Sequence, residues 1–459
     1  MYVFQRNSSG RPKHRKRPMS ATRLIALCFL GIILAGTALL MLPVSSRNGC
    51  SCPFLPALFT ATSATCVTGL TPFDTWTQWS GFGQAVLLCL IEVGGLGFMS
   101  AATLVIFLFR RKVGLRQRMI MAQALSLNEM DGVVRLQRTV LVGSLSFQAA
   151  GALILTGWFW PQYGFARALR WGVFHSVSAF CNAGFDIFGV LEPGTSLQLF
   201  QNDPVVLLTL GALVTIGGLG FLVWQDVAEK RRFKDLSVYS RLVLSATGIL
   251  IVVGWLLICL LEWDNPETLG NLGVGSKLLG GLFQSLTLRT AGFDAINQVG
   301  LTQGGKAVSM VLMLIGGSSG STAGGLKTVT FLVMLLFIWT RARGRSNVTV
   351  FQRTIPQEQV LNAMTITLIM VVLAMAGSVF ICATSPVGFT DALYESVSAL
   401  ATVGLTAGAT TLLSVPAKIM IIIFMYFGRV GVLTISLGFL MGNQAVERFR
   451  YAETSLLIG

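Results

Sequence analysis

Four stretches of this sequence reach a glycine in nearly the same way. They read "FTATSATCVTGLTPFDT" from Phe59, "FHSVSAFCNAGFDIFG" from Phe174, "FQSLTLRTAGFDAIN" from Phe283 and "YESVSALATVGLTAG" from Tyr394. Each begins on an aromatic residue, passes through small and hydroxyl-bearing residues, and arrives at Gly69, Gly184, Gly292 or Gly404, glycines spaced 115, 108 and 112 residues apart. The chemistry on offer belongs to the backbone. A glycine lets the chain leave a helix in a conformation that a Cβ disfavours. Carbonyl oxygens gathered around one axis can replace the hydration shell of a cation. A short helix before each glycine would aim its negative C-terminal end at that axis. Glycines that merely let helices pack closely are the plain alternative, and four copies at nearly equal spacing weigh against it.

Nothing else in the chain resembles a reactive centre, and no enzyme activity is expected. There are two histidines and no HExxH, GxSxG or Walker A pattern, and "GGLGF" lacks the spacing and βαβ setting of a dinucleotide fingerprint. Eight cysteines lie scattered, and the Cys50/Cys52 pair in a loop is a weak metal signal and a strained disulfide, so both are expected to be inert.

The elements that must position the four stretches are membrane helices. Hydrophobic residues make up 53% of 459, charged residues 12%, and mean hydropathy is +0.71, whereas soluble domains carry about 25% charge. Apolar runs of spanning length, about 20 residues, lie near 22–42, 83–109, 139–160, 204–224, 241–261, 306–340, 360–383 and 416–442. Each glycine stretch falls between two of these runs and is too short to cross. The pattern predicts an all-α polytopic membrane protein with eight transmembrane spans in four span–re-entrant pore loop–span repeats around one pore. The expected boundaries are a basic cytosolic tail 1–21, repeats at 22–135, 136–238, 239–358 and 359–446, and a C-terminal tail 447–459. Of 34 Lys and Arg, 25 fall in 1–23, 110–138, 225–241, 341–359 and 443–459, while Arg47, Arg167, Arg170, Lys277, Arg289, Lys306 and Lys418 are assigned to the opposite side. That bias places both termini in the cytoplasm. The net charge of +15 then reflects topology and contact with anionic membrane lipids, not nucleic acid. The N-terminal "RPKHRKRP" is a positive anchor or a headgroup-binding tail, and no cleaved leader is expected.

Two features interrupt the spans. The 306–340 run contains "GGSSGSTAGG", Gly316 to Gly325. Such a stretch is a poor helix former, and irregular backbone at membrane depth is tolerated where it lines a cavity. Its alternative is a kink that only bends the helix. The motif "EVGGLGF" at 92–98 and "TIGGLGF" at 215–221 returns as "YFGRVGV" at 426–432, with Arg429 in place of a glycine. A charge at that depth is functional by default: it opposes cations in the cavity, bonds the loop's carbonyls, or pairs with Glu92 or another polar group between helices.

Together "TCVTGL", "FCNAGF", "RTAGF", "ATVGLTAG", "GGSSGSTAGGLKT" and the C-terminal "AETSLLIG" make the chain resemble the Trk/Ktr/HKT superfamily of potassium transporters, nearest the bacterial Ktr-type and TrkH-type membrane subunits. The resemblance covers essentially the whole chain. It implies K⁺ uptake across the bacterial cell membrane through a selectivity filter made of Val67, Thr68 and Gly69; Asn182, Ala183 and Gly184; Thr290, Ala291 and Gly292; Thr402, Val403 and Gly404, with K⁺ held at these residues. It implies that Gly316, Gly317, Ser318, Ser319, Gly320, Ser321, Thr322, Ala323, Gly324 and Gly325 form a gate beneath the filter, assisted by Arg429. It also implies a homodimer regulated by a separate cytosolic ring of nucleotide-binding RCK subunits, with no bound cofactor on this chain. One glycine per repeat implies more modest K⁺/Na⁺ selectivity than in a K⁺ channel. A related pore passing Na⁺ or ammonium, or a non-transporting scaffold or receptor, are the competing functions. Asp74, Asp186 and Asp294, just past their glycines, either concentrate cations or cap turns. Lys327 is expected to face the cytosol. Gln148 stands where the resemblance leads one to expect a glutamate.

Overall fold

The computed structural model describes residues 21–97 and 133–431. The N-terminal basic stretch, most of the 110–138 segment and the "AETSLLIG" tail lie outside them. The described chain is almost wholly helical; its one sheet is a small antiparallel hairpin of Thr349–Val350 with Arg353–Thr354.

The helices follow the apolar runs. They are α1 (Ala21–Leu40), α2 (Phe54–Cys66), α3 (Gly81–Leu96), α4 (Val133–Tyr163), α5 (Phe165–Phe180), α6 (Pro204–Leu219), α7 (Phe221–Lys230), α8 (Val238–Glu262), α9 (Val274–Thr287), α10 (Gln303–Leu314), α11 (Thr328–Ala342), α12 (Gln357–Thr384), α13 (Phe389–Leu400) and α14 (Val415–Tyr426). Caps fix several starts: the Asp203 carboxylate accepts from Val205 and Val206 ahead of α6, and Ser237 accepts from Ser240 ahead of α8. Among the described residues, three helices are long and apolar enough to cross a membrane, four if the bent pair α6–α7 is one span, and α2, α3, α11 and most of α1 are shorter apolar helices.

The four glycine stretches are preceded by α2, α5, α9 and α13, of 13, 16, 14 and 12 residues. At 1.5 Å per residue these reach roughly 18–24 Å, short of a bilayer core. Each packs on the long helix before it: α2 on α1, α5 on α4, α9 on α8, α13 on α12. The helix after each glycine packs on the next short helix in turn, α3 on α5, α6 on α9, α10 on α13 and α14 on α2, so the contacts close a circle.

Two expected spans depart from straight helices. The 306–340 run breaks into α10 and α11 around the glycine-serine loop. The 204–224 run turns by 93° between α6 and α7 at Gly220, whose φ of +90° a side chain rarely adopts. Of the expected inert pair, Cys50 is exposed and Cys52 buried, and both are free thiols.

Candidate functional site

Gly69, Gly184, Gly292 and Gly404 meet one another. An added Cβ at Gly69 would lie 2.8 Å from the Ala183 carbonyl oxygen, and one at Gly184 2.8 Å from that of Ala291. At Gly292 it would overlap the Val403 carbonyl oxygen, and at Gly404 the Thr68 carbonyl oxygen. Each glycine thus faces the carbonyl just before the next one, and the series returns to its start.

The same backbone recurs in all four. The glycines have φ of 102°, 68°, 81° and 98°, and Val67, Asn182, Thr290 and Thr402, two positions earlier, have φ of 56°, 59°, 68° and 51°. The residue between them stays at negative φ in every case. A left–right–left alternation turns successive carbonyls toward one side instead of alternately, as a strand would. Three of the four non-glycine residues are β-branched, for which positive φ is a genuine outlier. Strain of this kind costs on the order of 1–3 kcal/mol per residue and persists only where the surroundings enforce it. Val67, Thr68, Asn182, Ala183, Thr290, Ala291, Thr402 and Val403 are all essentially inaccessible.

A hydroxyl on each short helix supplies part of that enforcement. Ser63 accepts from the Gly69 N–H at 3.0 Å, and Ser398 from the Gly404 N–H at 3.1 Å. Ser178 donates to the Phe185 carbonyl at 2.7 Å, while Thr287 both accepts from the Phe293 N–H and donates to its carbonyl. These residues stand five or six positions before their glycines. Sequence reasoning saw only a hydroxyl-rich stretch and missed this register.

The Gly316–Gly325 loop adjoins the first residues of the ring. The Thr322 hydroxyl lies 3.1 Å from both the Phe180 carbonyl and the Asn182 side-chain oxygen, and a Cβ at Gly324 would overlap the Thr402 hydroxyl. Its backbone leans on the α6–α7 break: the Ser318 N–H donates to the Gly218 carbonyl, Thr322 N–H to that of Gly217, and Phe221 N–H to that of Gly320. The Ser318 hydroxyl donates to Leu219, and the Tyr239 hydroxyl donates to the Ser319 carbonyl at 3.0 Å. Much of the loop's irregular backbone is therefore paired with protein groups.

Arg429 sits in a short π-helical turn, Phe427–Gly431, that follows α14. Its guanidinium donates to the Thr322 carbonyl of the loop and to the Gly94 and Gly95 carbonyls at 2.6 and 3.0 Å. Of the alternatives weighed for it, a bond to a loop carbonyl and bonds to other polar groups between helices are both present. Glu92 is engaged elsewhere, accepting from the Gln148 amide at 2.9 Å and the Cys181 thiol. A glutamate at 148 would face that carboxylate with a like charge, whereas glutamine donates to it. Lys327, expected to face the cytosol, donates to the Ala323 carbonyl of the loop at 2.8 Å. Arg289, assigned to the side opposite the basic segments, is buried and reaches the loop. Asp74 caps the Thr75–Gln78 helix and accepts from Gly194, Asp186 accepts from the Phe188 N–H, and Asp294 has one buried oxygen without a partner among the described residues.

The family model described as "Cation transport protein", TrkH, matches residues 29–447. The "Potassium/sodium uptake protein NtpJ" of Enterococcus hirae is 38% identical over 97% of this chain and 99% of its own. The "Ktr system potassium uptake protein B" of Bacillus subtilis is 37% identical over 95% of this chain and 96% of its own, and that of Vibrio alginolyticus is 37% identical over 97% of each. The crystal structure of the potassium transporter TrkH from Vibrio parahaemolyticus superimposes with a TM-score of 0.70 over 95% of this chain and 87% of that one, at 19% identity, and so shares the fold. With a family model spanning most of its length and relatives this similar end to end, the chain belongs to the TrkH family of cation transport proteins.

Proposed function

We propose that this chain is the membrane subunit of a potassium uptake system, with Val67–Gly69, Asn182–Gly184, Thr290–Gly292 and Thr402–Gly404 as its selectivity filter. The observation that carries the reading is the circle of four glycines, each against the carbonyl before the next, with the same left–right–left backbone in all four. A dehydrated cation is stabilised by such carbonyl dipoles alone. No acid–base or nucleophilic group is needed. The relatives whose names contain potassium uptake support K⁺ as the cargo.

Around this filter the chain makes eight spans in four span–loop–span repeats, with boundaries at 22–135, 136–238, 239–358 and 359–446 and both termini cytoplasmic. The circular packing of α2, α5, α9 and α13 with the helices that follow them supports that arrangement, and the charge bias supports the orientation. Gly316–Gly325 is the gate, lying beneath the filter with Arg429 bonded to its Thr322 carbonyl. The name "Ktr system" on two relatives supports assembly with further components; a homodimer with a cytosolic RCK ring is the proposed form.

The potassium/sodium label of the Enterococcus relative favours a second reading, in which Na⁺ also passes. Competitive uptake of K⁺, Rb⁺, Na⁺ and NH₄⁺ into liposomes holding the purified chain separates the two. K⁺ and Rb⁺ should suppress one another strongly and Na⁺ weakly. Equal suppression by Na⁺ establishes the second reading, and no cation flux at all removes both.

A further inference from the structure

The four positions three residues before the ring glycines hold Cys66, Cys181, Arg289 and Ala401. Three are small and neutral. The charged one belongs to the third repeat, which is also the repeat whose second span is interrupted by the loop.

The Arg289 Nη2 donates to the Thr328 hydroxyl at 3.0 Å and to the Gly316 carbonyl at 3.3 Å, and the Thr328 hydroxyl donates to the same carbonyl at 2.8 Å. Gly316 opens the loop, and Thr328 is the first residue of α11 beyond it. Between the two ends run backbone bonds: the Gly316 N–H donates to Leu326 at 2.8 Å, the Thr328 N–H donates to Gly317 at 3.1 Å, and Ile315 pairs with Leu326. The loop therefore has a closed neck, as in compact Ω-loops. Beside that neck is a cavity of about 20 Å³, lined by Val214, Ile251 and Leu286 as well as Thr215, Thr247 and Arg289, about the volume of one water. The guanidinium is buried, its Nε has no partner among the described residues, and its backbone leads directly into Thr290. Charge-assisted hydrogen bonds are roughly twice as strong as neutral ones.

We infer that Arg289 is the anchor of the gate loop: a positioning residue that fixes the loop's neck to the third filter strand, so that the apex moves about a stationary base. The inference rests on the gate reading. It differs from the Arg429 contact, which reaches the apex at Thr322 from another repeat.

The test is Rb⁺ uptake into liposomes by the purified full chain without cytosolic partners. Four variants are compared with wild type: Arg289→Gln, Thr328→Val, a chain shortened within 318–322, and Arg289→Gln in the shortened chain. Arg289→Gln should raise maximal uptake severalfold with the half-saturating Rb⁺ concentration unchanged. Thr328→Val keeps the buried charge and should act in the same direction less strongly; it decides the matter if Arg289→Gln does not insert. In the shortened chain Arg289→Gln should add nothing. Uptake at or below wild type in the inserted variants, a shifted half-saturation, or an increment that survives shortening would each overturn the anchor. Shortening that itself leaves uptake at wild type sinks the gate reading and the anchor together; shortening that raises uptake while the point variants do not sinks the anchor alone.

Discussion

The ring and the loop that adjoins it are both built from glycine and hydroxyl residues, yet they are held in opposite ways. In the ring each glycine abuts the backbone of its neighbour, and a residue with a side chain is held at positive φ two positions before each glycine, with one at negative φ between them. Nothing there can give without moving the next segment. The loop is held by hydrogen bonds, from Ser318 and Thr322 to carbonyls at helix ends and from Tyr239 and Arg429 to carbonyls of the loop itself, and such bonds can be exchanged for others of similar energy. The contrast teaches where rigidity and adaptability sit along an ion path. Coordination needs fixed oxygens, and obstruction needs a segment with more than one satisfied position.

The most damaging way to break the ring is a side chain at its tightest points. A Cβ at Gly404 or Gly292 overlaps a neighbouring carbonyl oxygen more deeply than at Gly69 or Gly184, and the φ at all four positions adds strain. With on the order of 1–3 kcal/mol of strain and about 1.4 kcal/mol per factor of ten, Gly404→Ser or Gly292→Ser should lose roughly five- to a hundredfold in K⁺ affinity or K⁺/Na⁺ discrimination. Gly69→Ser and Gly184→Ser should lose less. K⁺-dependent growth of a transport-deficient host and competitive flux measure both; unchanged values with normal insertion remove the filter assignment.

For the loop the sign reverses. Removing several residues within 318–322 takes away an obstacle and leaves the ring intact, so basal Rb⁺ uptake should rise severalfold. A mere kink would behave otherwise, with the deletion misfolding the third repeat and abolishing uptake. Arg429→Ala should act in the same direction and more weakly. It removes charge-assisted bonds to Thr322, Gly94 and Gly95 while leaving the loop's bonds to α6 and α7. Because both changes act on one network, the combination should give less than the sum of the two. Full additivity would place Arg429 outside the gate.

The same contrast governs what could be read from sequence. The ring glycines were legible because a position that is both at positive φ and in contact with foreign backbone admits glycine and little else, which leaves a trace in composition. The strain at Val67, Thr290 and Thr402 left none, since valine and threonine report no preference for left-handed backbone; tertiary packing imposes it. The loop was legible as a break in hydropathy, and its partners were not, because a serine or threonine has the same identity whichever carbonyl it meets. The contacts of Arg289 were hidden for a related reason: counting charges along the chain locates a segment but not the direction of a long side chain. The 93° turn after α6 was hidden because "GGLGF" occurs in two spans, and the motif alone does not distinguish close helix packing from a turn.

The smallest expected effect sharpens the comparison from within the ring. Ser398 and Ser178 stand six residues before their glycines and brace the ring in different ways. Ser398 accepts from the Gly404 N–H, whereas Ser178 donates to the Phe185 carbonyl. Removing an acceptor strands a buried N–H, which has one hydrogen to place; removing a donor leaves a carbonyl, which is more often tolerated under-satisfied. Leaving a buried group unpaired costs on the order of 1–3 kcal/mol, part of which relaxation recovers. Ser398→Ala should therefore raise the half-saturating Rb⁺ concentration by a few-fold, and Ser178→Ala by less, with neither changing the basal uptake assigned to the proposed gate. Concentration-dependent uptake of both variants in liposomes reads the difference. If Ser178→Ala is the more damaging of the two, the hydroxyls stabilise the descending chain after the glycine rather than the coordinating peptide itself, and the ring's rigidity comes from backbone packing alone.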